Sequence, residues 1–432
     1  MHIRGKKMER IIANEGKSGY HIVTSQFAHE AELYAASQLK IYLEKASFAV
    51  IPYFSDRCEK RTPEIRVGRN VRGNTDRSDG IGDEGFKIYT DGEDIVICGR
   101  TPRGTVYGVY RFLEEIIGFR CFTKDIEAFD KRGKITVSNI DITENPSFEY
   151  RDTYFRGAFD CDYAVKNRLN SSLALIPNEK GGRTKFYNFH HSFYDILPPD
   201  IYFNEHPEYY SLVDGVRLKQ NGQLCLTNED AVNEAIKRVK EWIRSRPDCK
   251  VFSVAQNDWS NNCTCPKCRE TDEKEGSPSG SIIYFVNRIA EEIEKEYPDV
   301  LIHTFAYQYS RKAPKFIRPR DNVIVRLCNI ECSWDENLRE KKANSPESYT
   351  AEFVGNITDW GKISKHLYIW DYACNFSYYI LPFPNYYILA DNLRYYKECG
   401  VSGILEQGNF SYGAATGLAE LEAYLCARLM WN

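Results

Sequence analysis

The sequence predicts an α/β protein in two parts: a small α/β sandwich over residues 1–143, then a (β/α)8 TIM-like barrel over residues 144–432 with an irregular fifth crossover. Three observations predict it. Upstream of residue 140, short β-branched runs alternate with two amphipathic stretches of helical period. The segment DITENPS at Asp141–Ser147 has the polar, proline-bearing composition of a linker. Beyond it, eight apolar runs of strand length are separated by helical stripes, and eight is the count a barrel needs.

The sandwich begins with a strand at Tyr20–Ser25 and a helix whose apolar positions are Leu33, Ala36, Leu39 and Leu43. Pro63–Gly68 and Gly85–Tyr89 read as extended, and Asp91-Gly92 turns the chain into Asp94–Cys98 as a hairpin. Val106, Val109, Tyr110, Leu113 and Ile117 share one helical face that Gly118 is placed to end. The barrel strands are expected at Glu149–Phe155, Ser172–Ile176, Gly222–Leu226, Lys250–Ala255, Val300–Phe305, Asn322–Leu327, His366–Trp370 and Val401–Leu405. Helical stripes run through Val232, Ile236, Val239 and Ile243; through Ile282, Val286, Ile289 and Ile293; through Leu389, Leu393 and Tyr396; and through Leu418, Leu421, Leu425 and Leu429. Tyr307–Asp321 is basic, contains proline and carries no stripe, which makes the fifth crossover irregular.

Composition narrows the function. With 42% apolar and 27% charged residues, the chain of 432 residues can bury a large core. Its 57 basic and 61 acidic residues are interspersed and sum to -4, so no broad positive field exists to hold nucleic acid. The excess is aromatic, 30 Tyr, 23 Phe and 6 Trp, which suits stacking on sugars as well as core packing. Met1–Ser18 holds no signal-like apolar run and no stretch of about 18 apolar residues occurs, so the expectation is a cytoplasmic protein without membrane contact. The 14 scattered cysteines, many inside apparent strands and helices, fit a reducing compartment rather than a disulfide framework. No pattern specifies an oligomeric state. Phosphate-binding, dinucleotide-binding and G-x-S-x-G elbow motifs are all missing.

Two stretches carry a family resemblance. GFKIYTDGEDIVICGRTPRG from Gly85 and GTVYGVYRFLEEIIGFRCF at Gly104–Phe122 resemble the non-catalytic N-terminal domain of α-glucuronidases and β-N-acetylhexosaminidases. HPEYYSLVDGVR at His206–Arg217, QLCLTN at Gln223–Asn228, SVAQND at Ser253–Asp258 and CTCPKC at Cys263–Cys268 resemble a domain of unknown function from bacterial glycoside-hydrolase-like proteins. The first resemblance spans most of residues 20–135 and the second roughly Tyr150 onward. Together they imply a barrel glycosidase, α-glucuronidase-like or hexosaminidase-like, with no assigned substrate.

Glycoside cleavage needs a proton donor and a second carboxylate, and a barrel presents such groups at its strand C-termini. Asp258, Glu331, Asp371 and Glu406 follow the fourth, sixth, seventh and eighth expected strands. By the resemblance, Asp258 stands where related barrels place the general acid; an Asx turn is its plainer reading. Asp371 and Glu406 resemble in placement the late acidic pair of α-glucuronidases, as base, nucleophile or substrate-orienting groups; plain hydrogen bonding is the alternative. Glu331 competes for proton donation unless a salt bridge to Arg326 claims it. Arg156, His190, His191, Asn257 and Tyr307 are candidate substrate-binding residues, with Trp334 and Trp370 as stacking platforms.

Cys263, Cys265 and Cys268 form C-x-C-x-x-C, three thiols close enough to wrap a tetrahedral zinc ion if Cys225 or His303 supplies a fourth ligand. A reduced, metal-free cluster is the other reading. Without a His-Glu-x-x-His helix, zinc here is expected to be structural, with no cofactor required. The expected function is cleavage of a glycan or uronic-acid-containing saccharide by carboxylate general acid/base chemistry. The alternatives are a non-catalytic carbohydrate-binding protein and a thiolate-metal-dependent enzyme.

Overall fold

In the computed structural model, which describes residues 9–61, 63–73, 79–341, 343, 348–411 and 418–432, the chain forms two units. One comprises Met1–Glu149, Phe155–Arg183 and Phe410–Asn432; the other comprises Tyr150–Tyr154 and Thr184–Asn409.

The first unit is built on a six-stranded mixed sheet. Its elements are β1 (His21–Thr24), α1 (Glu30–Ser47), β2 (Tyr53–Ser55), β3 (Glu64–Val67), β4 (Phe86–Asp91), β5 (Asp94–Gly99), α2 (Pro102–Ile117) and β6 (Asp141–Glu144). The strand order is β6-β4-β5-β3-β1-β2. The β4/β5 hairpin is antiparallel, as the Asp-Gly turn requires, and β5, β3, β1 and β2 are parallel. Helix α1 starts on a reciprocal cap: His29 Nδ1 accepts from the Ala31 N–H and Glu32 accepts from the His29 N–H. Helix α2 ends at Gly118, whose φ of 67° is the left-handed turn that a side chain would oppose. Leu33, expected in the core, is exposed, because Ala31, Ala35 and Leu39 form the buried line instead.

The helix Ala419–Trp431 also folds with this unit, its Trp431 ring stacking on Phe86 at 5.8 Å. Its buried face is Ala419, Ala423, Cys426, Ala427 and Met430. Leu418 and Leu421, expected to be core, are exposed and line a hollow of about 340 Å³ with Phe122 and Tyr424. The leucine stripe is not the buried face, because the small residues beside it allow closer backbone approach.

The second unit is a TIM-like half barrel. Its strands are β7 (Tyr150–Asp152), β8 (Phe186–Tyr187), β9 (Val251–Ser253), β10 (Leu301–Ala306), β11 (Val323–Cys328), β12 (His366–Tyr372) and β13 (Val401–Gln407). They pair in parallel in the order β7-β13-β12-β11-β10-β9-β8. The edge strands curl toward each other, since Tyr150 on β7 and Phe186 on β8 bring their rings within 5.3 Å. Helices α3 (Glu229–Ser245), α4 (Pro266–Glu275), α5 (Ser279–Glu294), α6 (Tyr349–Ile363) and α7 (Leu389–Glu398) lie between the strands in sequence. From β10 to β11 the chain makes a 3-10 turn at Gln308–Ser310 and then runs irregularly.

Among the described residues the parallel sheet has seven strands, not eight, and two expected strands are absent from it. Ser172–Ile176 is irregular and lies in the first unit, with Leu175 exposed and Pro177 ending the run. Gly222–Leu226 makes only an isolated bridge between Leu224 and Tyr210. Its buried Leu224 and Cys225 pack under a loop rather than in the sheet, which is why an apolar run there does not signal a strand. Among the described residues, no helix is long and apolar enough to cross a membrane.

Candidate active site

Strand alternation decides which side chains reach the lumen. Tyr150, Phe186, Val251, Ile324, Tyr368 and Leu405 pack together as the lumen floor. Ala255, Phe305, Tyr307 and Cys328 pack above them, with Trp370 touching both layers. Every second residue of β10, β11, β12 and β13 therefore points inward, and its neighbours point to the helices.

Asp258 lies just past β9 at the mouth, with its side chain 62% exposed. Gln256 and Asn257 before it are buried and tied down. Gln256 donates to the Tyr307 carbonyl at 3.2 Å and accepts from Ser310 Oγ at 2.5 Å. Asn257 donates its side-chain amide to the Gly222 carbonyl at 2.9 Å and its backbone N–H to Gln223 Oε1 at 2.8 Å. Asn257, expected to bind substrate, instead spends both amide groups holding the loop. Asp258 is thus the one member of the Gln-Asn-Asp run whose side chain is left facing solvent.

Two groups meet that carboxylate. The Tyr307 hydroxyl donates to it at 3.1 Å and accepts from Gln308 Nε2 at 2.9 Å. Burial first, then the Asp258 charge, raise the Tyr307 phenol above its ordinary range, so it stays a neutral donor. His191 Nδ1 lies 2.7 Å from the Gln256 carbonyl, which can only accept. The proton is therefore on Nδ1, and Nε2 faces Asp258 at 4.0 Å. His190 stands beside it, ring centroids 5.7 Å apart, and burial, followed by His191 and Arg326, lowers its pKa below that of a free imidazole.

Glu331, beyond β11, is bound by Arg311 at 2.8 Å, and Arg311 also holds Glu352 at 3.0 Å. The partner is Arg311, not the expected Arg326. Trp370 is half-buried against the lumen core and donates to Gln407 Oε1 at 2.7 Å. Trp334 stacks on Tyr372 at 4.8 Å and donates to the Asn329 carbonyl at 3.0 Å. Arg156 is exposed in the first unit, its guanidinium 5.9 Å from the Phe159 ring.

Asp371 and Glu406 do not join this group. Trp370 and Tyr372 point inward, so Asp371 between them points to the helix layer. There it accepts from Asn329 Nδ2 at 2.6 Å, Tyr396 of α7 at 2.6 Å and the Tyr372 N–H at 2.8 Å. Burial raises its pKa, and the Tyr396 and Asn329 bonds offset only part of that. Glu406 pairs with Asp371 across β12/β13, between inward Leu405 and Gln407, and is buried on the same outer face. The lumen residues that sequence reading passed over are Asp152, which accepts from the Tyr150 hydroxyl at 2.9 Å, Phe189, Tyr372 and Gln407. Period-two alternation from Trp370 was the signal that would have found Tyr372.

A second cluster lies beside the mouth loop. Cys225, Cys263, Cys265 and Cys268 are all buried, with their Sγ atoms within 4.8 Å of one another. The fourth thiol is Cys225; His303 sits in the lumen with Nδ1 2.9 Å from Ser253 Oγ. No disulfide joins any two of the described cysteines.

The fold is similar to those of solved glycosidases at low identity. A family GH115 4-O-methyl-α-glucuronidase with specificity for decorated arabinogalactans matches 98% of this chain at 11% identity, with a TM-score of 0.57. This chain spans 57% of that protein's length. The chitobiase of Flavobacterium johnsoniae matches over 98% of this chain and 68% of its own at 13% identity, TM-score 0.50. The GH20 β-N-acetylhexosaminidase of Streptomyces coelicolor matches over 99% and 89% at 12% identity, TM-score 0.51. No curated protein sequence matches. A family model does match, over residues 121–432, well beyond half of the chain, and the protein accordingly belongs to the family described as domain of unknown function DUF4838.

Proposed function

We propose that the mouth of the half barrel binds a saccharide and hydrolyses a glycosidic bond, with Asp258 as the proton donor. The observation that carries this reading is a solvent-facing carboxylate on an immobilised loop, held by Tyr307 at 3.1 Å over an aromatic lumen. The likeness of fold to an α-glucuronidase and two hexosaminidases supports uronides and N-acetylhexosaminides as substrate classes.

In the reaction, Asp258 as general acid gives a proton to the leaving oxygen as the bond from that oxygen to the anomeric carbon breaks. Water supplies hydroxide to the carbon, and its remaining proton returns to a base. Glu331 is the second carboxylate on the mouth side, and its ion pair with Arg311 orients it. For an N-acetylhexosaminide the substrate's acetamido oxygen attacks first, and Glu331 orients it. Asp371 and Glu406, on the helix-facing side, are assigned to the scaffold.

The test is turnover of aryl glucuronides and aryl N-acetylhexosaminides by wild type and Asp258→Asn. Loss of the acid is expected to lower kcat about 10²–10⁴-fold with little change in saccharide affinity. Undiminished turnover by Asp258→Asn would remove the assignment. A second reading, saccharide binding without turnover, is favoured by the engagement of Glu331 with Arg311 and the outward turn of Asp371 and Glu406. It predicts that wild type binds these sugars and cleaves none.

A further inference from the structure

The four-thiol cluster answers to a different chemistry from the mouth and is independent of what the mouth binds. Three of its members come from one short segment and the fourth from a segment forty residues earlier. Cys263 and Cys265 lie in the loop that leads into α4, Cys265 is the residue that caps α4, and Cys268 is in its first turn. Cys225 follows the Leu224 bridge. Relative exposures of 3, 5, 7 and 1% for Cys225, Cys263, Cys265 and Cys268 exclude the cluster from bulk water.

Packing alone does not account for the arrangement. Four small apolar side chains that merely fill a core have no reason to direct all their sulfurs to one point. In a tetrahedral tetrathiolate with metal–sulfur bonds of about 2.3 Å, neighbouring sulfurs are about 3.8 Å apart. Here Cys225 Sγ and Cys265 Sγ are 3.6 Å apart, and no pair among the four exceeds 4.8 Å. At 3.6 Å the pair is not a disulfide, whose sulfurs are about 2.05 Å apart.

The surroundings offer donors suited to thiolate sulfur. The Leu212 N–H donates to Cys263 Sγ at 3.3 Å, and Thr227 Oγ1 is 3.2 Å from Cys268 Sγ. Arg217 Nη1 stands 4.0 Å from Cys263 Sγ, a positive charge where four thiolates and a divalent ion would leave a net double negative charge. Leu212 and Arg217 belong to one small hairpin, Leu212–Val213 paired with Val216–Arg217, whose Leu212 packs against the cluster.

We propose that Cys225, Cys263, Cys265 and Cys268 bind one zinc ion as a closed, structural tetrathiolate site. Four protein ligands leave no open position for a substrate or water, so the ion is not a reaction centre. It joins the Cys225 segment to the loop ahead of α4. Binding one divalent ion releases the thiol protons to solvent and changes no oxidation state.

The test begins with the full chain purified without chelator. Metal analysis is expected to find about one zinc per chain, and replacing it with cobalt(II) should give the intense visible bands of tetrahedral sulfur coordination. Cys225→Ser and Cys268→Ser should each lose most of the bound zinc, while Cys58→Ser, a change at an exposed thiol outside the cluster, should keep it all. Should the cluster variants fail to fold, mercurial titration of wild type replaces them: zinc should leave in proportion to the modification of four thiols. Chelation should also lower the melting temperature, with recovery on adding zinc. Substoichiometric zinc, iron in its place, a cobalt spectrum of oxygen or nitrogen ligands, or a Cys225–Cys265 disulfide by mass spectrometry would each overturn the assignment.

Discussion

Arg326 is buried at 0% exposure on the inward face of β11, and none of its guanidinium nitrogens has a hydrogen-bond partner among the described residues. Five rings surround it: Phe189 at 4.8 Å, Phe186 at 5.1 Å, Tyr150 at 5.5 Å, and Tyr368 and Trp370 at 5.8 Å. Each such contact is worth about 0.5–2 kcal/mol, whereas the effective cost of desolvating a cation is several kcal/mol. Burial lowers its pKa, as that cost requires, yet a guanidinium stays charged at any working pH. The two terms are of similar size, so Arg326→Met, which keeps the volume, is expected to change unfolding free energy by less than about 1.5 kcal/mol. Arg326→Ala, which leaves a void under Trp370, should cost about 3 kcal/mol or more. Denaturant titration of both variants checks this; a Met variant as damaged as the Ala variant would mean that the cation itself holds the rings together.

At the scale of the element, a strand's alternation sorts acids that look alike in sequence. The mouth position of Asp258 was legible because it lies beyond the end of β9, where the loop and not the pleat sets its direction. Asp371 was not, because Trp370 and Asp371 are consecutive in β12 and cannot both face the lumen. The strands β9 to β13 and helices α3, α5 and α7 were legible from their period; Ser172–Ile176 and Gly222–Leu226 were not, since an apolar run alone does not say whether the backbone pairs. The consequence for Asp371 is measurable. Tyr396→Phe removes a 2.6 Å bond to a buried carboxyl and should cost about 1.5–3 kcal/mol of stability. Asp371→Asn should also destabilise while leaving KM for any substrate of the mouth unchanged. A fall in kcat of about 10²-fold or more in a fully stable Asp371→Asn protein would return Asp371 to the chemistry.

At the scale of the molecule, the first unit is assembled from distant stretches of chain, and buried carboxylates tie its stability to pH in opposite senses. Glu114 of α2 receives Arg168 at 2.8 Å and Arg428 at 3.1 Å, joining residues 314 positions apart. Burial pushes its pKa up, but the two guanidinium groups outweigh that and hold it below the ordinary carboxylate value. Its stabilising contribution is therefore complete above that ordinary value and is lost as pH falls through the depressed one. Glu422, in the helix Ala419–Trp431, is 5% exposed, and burial pushes its pKa up to about 8. The folded state then holds a proton that the unfolded chain releases near pH 4.5, so stability falls as pH rises from there to about 8 and is level beyond. At ~1.36 kcal/mol per pH unit the fall is as much as about 5 kcal/mol. Calorimetry across pH ~5 to ~8.5 should show the first unit's melting temperature declining over that range. Glu422→Gln, neutral at every pH, should remove most of the decline and raise the melting temperature on the alkaline side. Glu114→Gln should instead lower it throughout that range, because the buried Arg168 and the half-buried Arg428 lose their shared counter-charge at a cost of about 3–5 kcal/mol. A Glu422→Gln protein whose pH profile still slopes like wild type would place the origin of the alkaline loss elsewhere in the unit.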